Sequence, residues 1–63
     1  MQYTIGTMIK GIKSKKIYEI VDIKQVQEKI KITIEDKSWI EYDGSYKKHE
    51  VYKSTIDANY EVI

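Results

Sequence analysis

The stretch Ile30-Lys31-Ile32-Thr33-Ile34-Glu35 decides the fold class of this chain. Apolar and polar side chains alternate through it without interruption, which is the two-residue repeat of a strand with one face in a core and the other in water. The isoleucines are β-branched, and this favours a pleated, half-buried strand over a helix. The sequence therefore predicts a protein that is mainly or entirely β.

Length and composition limit what the chain can be. Its 63 residues allow one domain with one small core, in which only about 60% of the unfolded surface is buried. There is no Cys, so a disulfide framework and a thiolate zinc site are excluded, and we expect neither a metal nor another cofactor. Residues 1–4 are not a basic leader, and no apolar run approaches the roughly 20 residues of a membrane span. We therefore expect a cytoplasmic protein with no membrane contact.

Further strand-like stretches lie on the N-terminal side of this segment. Alternation from about Tyr3 to Ile12 predicts a first strand, bent at Gly6 or Gly11. Residues 17–23 do not alternate cleanly, and a bulge near Ile20-Val21 would restore the pattern. A helix over residues 17–32 is the competing interpretation, but charged side chains interrupt its apolar stripe.

Loops and turns are predicted on both sides of residues 30–35. Residues 24–29 are mostly polar and predict a loop. Asp36-Lys37-Ser38 predicts a turn into a short strand, 39–42, which would complete a hairpin with 30–35. Asp43-Gly44 is the strongest turn signal, because Gly adopts positive φ without a steric cost.

The C-terminal third is less clear. Residues 45–55 are ambiguous, with a strand or turn around Val51-Tyr52. Residues 56–59 predict a single helical turn, and residues 60–63 predict the last strand.

The layout of these segments resembles a known family. Gly6-Thr7-Met8-Ile9, the stretch 17–21, Ile30-Lys31-Ile32 and the closing segment 59–63 resemble SH3-like small β-barrels, such as those of short proteins encoded by phages and mobile elements. The resemblance implies one barrel domain over residues 1–63, with about five short strands and a one-turn helix before the last. It also implies a binding module without catalytic machinery, often an adaptor or inhibitor. The chain departs from signalling SH3 domains because it lacks an acidic Ala-Leu-Tyr-Asp-Tyr-type segment.

No group of residues predicts catalysis. His49 is the only histidine, and there is no Cys nucleophile. The four serines stand in polar contexts where the sequence positions no base beside them. A single His does not build a transition-metal site without carboxylates or a second chain. We therefore expect a protein that is not an enzyme.

Charge is distributed unevenly along the chain. Residues 1–18 carry four lysines and no acid, residues 19–46 carry a net charge of −3, and residues 47–63 are balanced. One interpretation is a basic stripe that binds nucleic acid without sequence specificity. The alternative is a solvated sheet edge guarded by lysines. The chain has no Arg, which argues against sequence-specific DNA recognition. The four lysines are Lys10, Lys13, Lys15 and Lys16.

Aromatic side chains are the other candidates for binding. If Ile40 and Tyr42 point inward, the two-residue repeat places Trp39 at the surface, where it would be a candidate hot spot. In the opposite orientation of this strand, Trp39 is buried and Ile40 is exposed. We favour this orientation because a lone Trp in a small domain is usually buried. The candidate protein-binding residues are Trp39, Tyr42, Tyr46 and Tyr52.

Three hypotheses about function follow. The first is a non-enzymatic protein-binding module, an accessory or inhibitor protein of a phage or mobile element that docks on a host or viral protein. The second is a small barrel that binds nucleic acid non-specifically through its lysines. The third is self-association through unpaired strand edges, which a domain of this size leaves open.

Overall fold

Five antiparallel strands and one short helix form the described part of the chain, which is residues 3–63 of the computed structural model. The strands form one sheet in the order β4-β3-β2-β1-β5, so the mainly β fold class is confirmed. The helix α1 leads from one edge strand, β4, to the other, β5, and also packs on β3. The elements are β1 (Met8–Gly11), β2 (Ile17–Val26), β3 (Lys29–Ile40), β4 (Tyr46–Tyr52), α1 (Lys53–Asn59) and β5 (Tyr60–Val62).

The alternation in residues 30–35 is confirmed as the two faces of β3. Ile32 and Ile34 are buried, whereas Lys31, Thr33 and Glu35 are partly exposed on the other side. We call the side of the sheet that carries Ile32 and Ile34 the inner face and the opposite side the outer face. The core on the inner face consists of Ile9, Tyr18, Ile20, Ile32, Ile34 and Ile56.

The bulge predicted near Ile20-Val21 is confirmed. Ile20 pairs with Ile34, and the register then shifts so that Ile23 pairs with Ile32. Without the extra residue, Ile20 and Ile23 would point to opposite faces, because side chains alternate along a strand. The bulge lets both isoleucines face inward.

The loop predicted for residues 24–29 is wrong, and so is the alternative helix over 17–32. Strand β2 continues to Val26 and β3 begins at Lys29, so only two residues connect them. Gln27 has a φ of 58° in this turn. The polar side chains here misled the prediction, because this end of the hairpin extends past the core and its ladder hydrogen bonds need no apolar residues.

The hairpin predicted between residues 30–35 and 39–42 is also wrong. Strand β3 runs without a turn to Ile40, and its partner is β4, which occupies most of the ambiguous region 45–55. The reversal between the two strands uses Gly44, whose φ is 90°, so the Asp43-Gly44 turn is confirmed. Asp36-Lys37-Ser38 forms a bulge within β3 instead of a turn.

The ends of the chain differ in length from the predictions. The first strand begins at Met8 rather than near Tyr3, because residues around Gly6, with a φ of 96°, form a turn before it. The helix has seven residues rather than one turn, and Ile56 is its buried residue. No helix within residues 3–63 is long and apolar enough to cross a membrane.

Candidate functional site

An aromatic cluster crosses the inner face beside the isoleucine core. Tyr18 on β2 is 8% exposed and packs edge-on against two rings from the edge strands. Its ring centroid is 5.5 Å from that of Tyr60 on β5 and 6.4 Å from that of His49 on β4. Such perpendicular pairs add about 0.5–1.5 kcal/mol beyond the burial of their area. Burial, together with the nearby Tyr18 and Asp36, raises the pKa of the Tyr60 hydroxyl.

The strand register brings charged side chains next to this cluster. Tyr18 lies opposite Asp36 on β3, and Asp36 lies opposite Lys47 on β4. Directly opposed residues have Cβ atoms about 4.5–5.5 Å apart, so the three side chains form one row across the inner face. The row ends at Lys47, which His49 follows on the same face of the edge strand.

Asp36 is a carboxylate buried in the middle of this row. It is 3% exposed and accepts hydrogen bonds from the Ser38 backbone N–H at 2.9 Å and the Ser38 hydroxyl at 2.6 Å. Lys16 Nζ lies 3.6 Å from its other oxygen. The bonds from Ser38, aided by Lys16, outweigh the effect of burial and hold the pKa of Asp36 below its usual value of 3.8. Asp36 is therefore ionised at neutral pH.

The bonds from Ser38 close a bulge in β3, and this bulge takes Trp39 out of the regular alternation of the strand. Asp36 pairs with Lys47 and Ile40 pairs with Tyr46, so residues 37–39 of β3 have no partner on β4. Trp39 lies against the inner-face residue Lys47, whose Nζ is 4.5 Å from the centre of the ring. Lysine over an indole is a favourable cation–π arrangement.

The expectation that Trp39 is buried is wrong, because the residue is 48% exposed. Ile40 is 67% exposed, so the alternative in which Ile40 points inward is also wrong. Both expectations assumed a regular strand over the core. The bulge breaks the alternation, and this end of β3 extends past the isoleucines, so that neither side chain reaches them.

A tight loop, residues 12–16, borders the aromatic cluster on its other side, and we call it the lysine loop. The Gly11 N–H donates to the Lys16 carbonyl at 2.9 Å, and the Lys15 N–H donates to the Gly11 carbonyl at 3.0 Å. Ser14 Oγ also accepts from the Lys16 N–H at 3.3 Å. These bonds, with the Lys16 ion pair to Asp36, fix the loop to the sheet.

Two shallow pockets share the lysine loop as a wall. One, of about 330 Å³, lies between the loop and the aromatic cluster, and the other, of about 380 Å³, lies beside the β3 bulge. The first is lined by Lys13, Ser14, Tyr18, Tyr60 and neighbouring residues, and the second by Lys15, Lys16, Ile17, Lys37 and Ser38. Neither lining includes a carboxylate.

A larger pocket, of about 430 Å³, lies at the opposite end of the sheet. Its lining holds two acids, Glu28 and Asp57, and two lysines, Lys29 and Lys53, of which Lys53 Nζ is 3.2 Å from the Asp57 carboxylate. Its charges are thus balanced within the protein, and Tyr52 is its one aromatic residue. The larger volume favours this pocket as a binding site. The aromatic cluster and the two pocket linings without a carboxylate favour the end of the sheet that carries Trp39.

Two lysines of the outer face, Lys37 and Lys48, form ion pairs with glutamates of the same face. Lys37 Nζ lies 2.8 Å from a Glu19 oxygen and 3.1 Å from a Glu35 oxygen, and Lys48 also pairs with Glu35 at 3.7 Å. The bonds to Glu19 and Glu35 raise the pKa of Lys37. Six other lysines form no ion pair within the described chain: Lys13, Lys15 and Lys47 near the lysine loop and the aromatic cluster, Lys10 on β1, and Lys29 and Lys31 at the far end.

The four aromatic candidates do not form one surface. Trp39 lies beside the aromatic cluster, but Tyr46 is on the outer face, where Lys37 Nζ is 4.2 Å from its ring centre. Tyr52 is at the far end of the outer face, against Lys29. Tyr42 is fully exposed before the Gly44 turn.

Three of the four candidate lysines lie together. Lys13, Lys15 and Lys16 are in the lysine loop, whereas Lys10 is on β1, paired with Ile17 and Glu61 in the sheet. Sequence reasoning missed Tyr18, His49 and Tyr60 as a group. The alternation of Tyr18 with Ile20 was a usable signal for its inner position, but no local pattern connects it with the other two rings.

We call the surface formed by Tyr18, Trp39, Lys47, His49 and Tyr60 the open face. Residues 3–63 hold no cluster of three or more His, Asp or Glu side chains suited to a metal ion. Comparison of the chain with protein-family models, with curated proteins and with solved structures gave no match.

Proposed function

We propose that this protein is a non-catalytic, SH3-like module that docks on another protein through its open face. The observation that carries the proposal is Trp39, a large aromatic residue left 48% exposed against Lys47, at the same end of the sheet as a pocket lined by Tyr18 and Tyr60. Exposed aromatic anchors next to pockets are the usual centres of binding energy at protein interfaces. Five antiparallel strands with a short helix before the last strand also fit the layout that the SH3-like resemblance implies.

The packing of the rings favours a protein partner over nucleic acid. Single strands bind by stacking successive bases on open ring faces. Tyr18 is 8% exposed and lies edge-on to Tyr60, so its ring is part of the floor rather than a stacking platform. One face of Trp39 is covered by Lys47. A side chain inserted between these groups matches the geometry better than a stacked base.

The biological setting follows from the family resemblance. An accessory or inhibitory role in a phage or mobile element requires no catalysis, only a surface that occupies a site on a host or viral protein. The open face and its pocket are suited to that role, because a small rigid domain loses little conformational freedom when it binds.

Selection from a random-peptide display library tests the proposal. Enriched peptides should bind in solution, and Trp39→Ala should weaken that binding at least about tenfold, as truncation of a hot spot does. The matched control is Tyr42→Ala, because Tyr42 is also exposed but lies outside the open face. No enrichment, or equal losses in the two variants, would contradict the proposal.

Titration with labelled single- and double-stranded DNA and RNA tests the competing function. We expect no binding at about 50 mM salt, the condition under which lysine-driven binding is strong. Binding that falls steeply by about 200 mM salt, and that disappears in Lys15→Glu/Lys16→Glu, would replace the proposal with nucleic-acid binding. A dimer mass from light scattering that Trp39→Ala reduces to a monomer would instead assign the open face to self-association.

A further inference from the structure

We propose that the open face and the lysine loop take an extended acidic peptide segment. This inference rests on the proposed function and names its ligand class. An apolar side chain of the segment enters the 330 Å³ pocket above Tyr18 and Tyr60, and its Asp or Glu residues lie along the lysine loop.

The charge around the two loop pockets is the first observation in favour of an acidic ligand. Lys13 lines one pocket and Lys15 lines the other, and neither forms an ion pair with a described residue. The carboxylate that the lysine loop contacts is Asp36, which is 3% exposed and already bonded to Ser38 and Lys16. The linings of the two loop pockets therefore offer these lysines no acid of the protein's own.

The second observation is that the linings of the loop pockets differ in charge from that of the far pocket. Lys48 on the outer face pairs with Glu35, and the far pocket has Asp57 beside Lys53. Around the loop pockets, Lys16 and Lys37 are ion-paired, whereas Lys13 and Lys15 are not paired with any described residue. The two loop pockets are lined by four lysines and no carboxylate, whereas the far pocket combines two lysines with two carboxylates. A ligand that complements this end has to bring negative charge.

The third observation is that the backbone of the lysine loop is held in one conformation. Backbone bonds between Gly11 and the segment Lys15-Lys16 close the loop, and Lys16 is held at 3.6 Å from buried Asp36. Lys15 has a φ of 64°, a conformation that its neighbours must maintain. The side chains of Lys13 and Lys15 thus start from a fixed backbone, which reduces the entropy lost when they bind carboxylates.

An extended conformation fits the arrangement of the pockets. The loop separates them, with Lys13 and Ser14 on one side and Lys15 and Lys16 on the other. A segment that crosses the loop contacts all three lysines and places an anchor in the aromatic pocket. A helix would present its side chains on one side and leave one of the two pockets empty.

Three peptide libraries test the ligand class. The libraries have the same length and the same apolar positions. At the remaining positions the acidic library carries Asp/Glu, the neutral library Ser/Gln and the basic library Lys/Arg. Binding is measured by the fluorescence of Trp39, the single tryptophan of the protein. We expect the best acidic peptides to bind about tenfold more tightly than neutral ones at about 50 mM salt, and the advantage to shrink at about 200 mM.

A charge-matched pair of variants locates the effect. Lys13→Gln/Lys15→Gln should reduce the preference for acidic over neutral peptides by about fivefold, the effect of losing two exposed ion pairs. Lys29→Gln/Lys31→Gln removes the same charge at the far end, against Tyr52, and should leave the preference unchanged. Equal effects of the two variants would show a non-local effect of net charge and would overturn the inference.

The outcomes separate this inference from the proposed function. Neutral or basic peptides that bind as well as acidic ones, with loss in Trp39→Ala, would overturn the acidic class and keep the docking module. Failure of all three libraries would overturn both. Displacement of acidic peptides by single-stranded oligonucleotides at low salt, with no Trp39 dependence, would also overturn both and assign the lysines to nucleic acid.

Discussion

Lys16 Nζ lies 3.6 Å from Asp36 Oδ2, and this contact joins the lysine loop to the bulge of β3. The same carboxylate accepts two hydrogen bonds from Ser38, one residue before Trp39. One buried group therefore fixes both segments that border the open face. The position of Trp39 and the conformation of the lysine loop depend on it together.

Asp36→Asn should lower the free energy of unfolding by about 1–3 kcal/mol at neutral pH, because hydrogen bonds to a buried charge are lost or weakened. Urea unfolding followed by circular dichroism measures the change. Asp43→Asn is the control, since Asp43 accepts the same pair of bonds from Ser45, at 3.0 and 2.6 Å, but is exposed. Similar losses in the two variants would show that the burial of Asp36 does not increase the stability contributed by its hydrogen bonds.

Stability should fall in acid, and Asp36 should contribute to the fall. Its pKa is lower in the folded protein than the ordinary value of 3.8, mainly because of the hydrogen bond from Ser38. The stability it contributes is therefore present above the unfolded-state pKa and is lost as the pH falls through the folded-state pKa. As the pH is lowered below about 5, the free energy of unfolding should decline less steeply in Asp36→Asn than in the unsubstituted protein. An unchanged slope would contradict this assignment.

Ile56→Ala should destabilise the protein by about 2–5 kcal/mol, because it leaves a cavity in the core. Ile56 is the buried residue of α1 and packs with Ile9, Ile20 and Ile34. For a domain of this size the loss approaches the whole stability of about 3–9 kcal/mol. Thermal unfolding measures it, with Ile40→Ala as the exposed control that should change stability by less than about 0.5 kcal/mol.

Gly11→Ala should disrupt the lysine loop. A Cβ on Gly11 would overlap Ser14 Oγ, although the strand position itself requires no unusual backbone angle. Rotation of the Ser14 hydroxyl relieves the overlap but breaks its bond from the Lys16 N–H, so we expect a loss of about 1 kcal/mol. In a Ser14→Ala background the same substitution should cost clearly less, because the overlapping atom is gone. A double-mutant cycle measured by urea unfolding gives the difference, and simple additivity would exclude the steric explanation.

Tyr3→Phe should remove a contact between the N-terminal segment and α1. The Tyr3 hydroxyl donates to Asp57 Oδ1 at 2.6 Å, and burial, with Asp57 nearby, raises the pKa of Tyr3 to about 12. This contribution to stability is complete below the unfolded-state pKa, near 10, and is lost as the pH rises through the folded-state value. Tyr3→Phe should therefore be less stable by about 1 kcal/mol at neutral pH and lose less stability in alkali. Unfolding at pH values from about 8 to 12, with Tyr42→Phe as control, tests both expectations.

The sequence by itself determined the features that depend on neighbours along the chain. Alternation fixed the inner side of β3 at Ile32 and Ile34, because side chains of a strand point to opposite faces in turn. The broken alternation after Ile20 located the bulge of β2, and Gly44 located the hairpin turn. The short helix before the last strand was also visible in outline, although three residues too short at its start.

The tertiary structure alone decided how the open face is assembled. Asp36-Lys37-Ser38 has the composition of a turn, but β4 pairs with β3 on both sides of it, so the segment bulges and Trp39 is exposed. Tyr18, His49 and Tyr60 meet because they lie on three different strands of one sheet. The physical reason is that strand register is chosen by hydrogen bonds between distant segments and by burial of the shared isoleucine core, and neither is encoded in any single stretch of the chain.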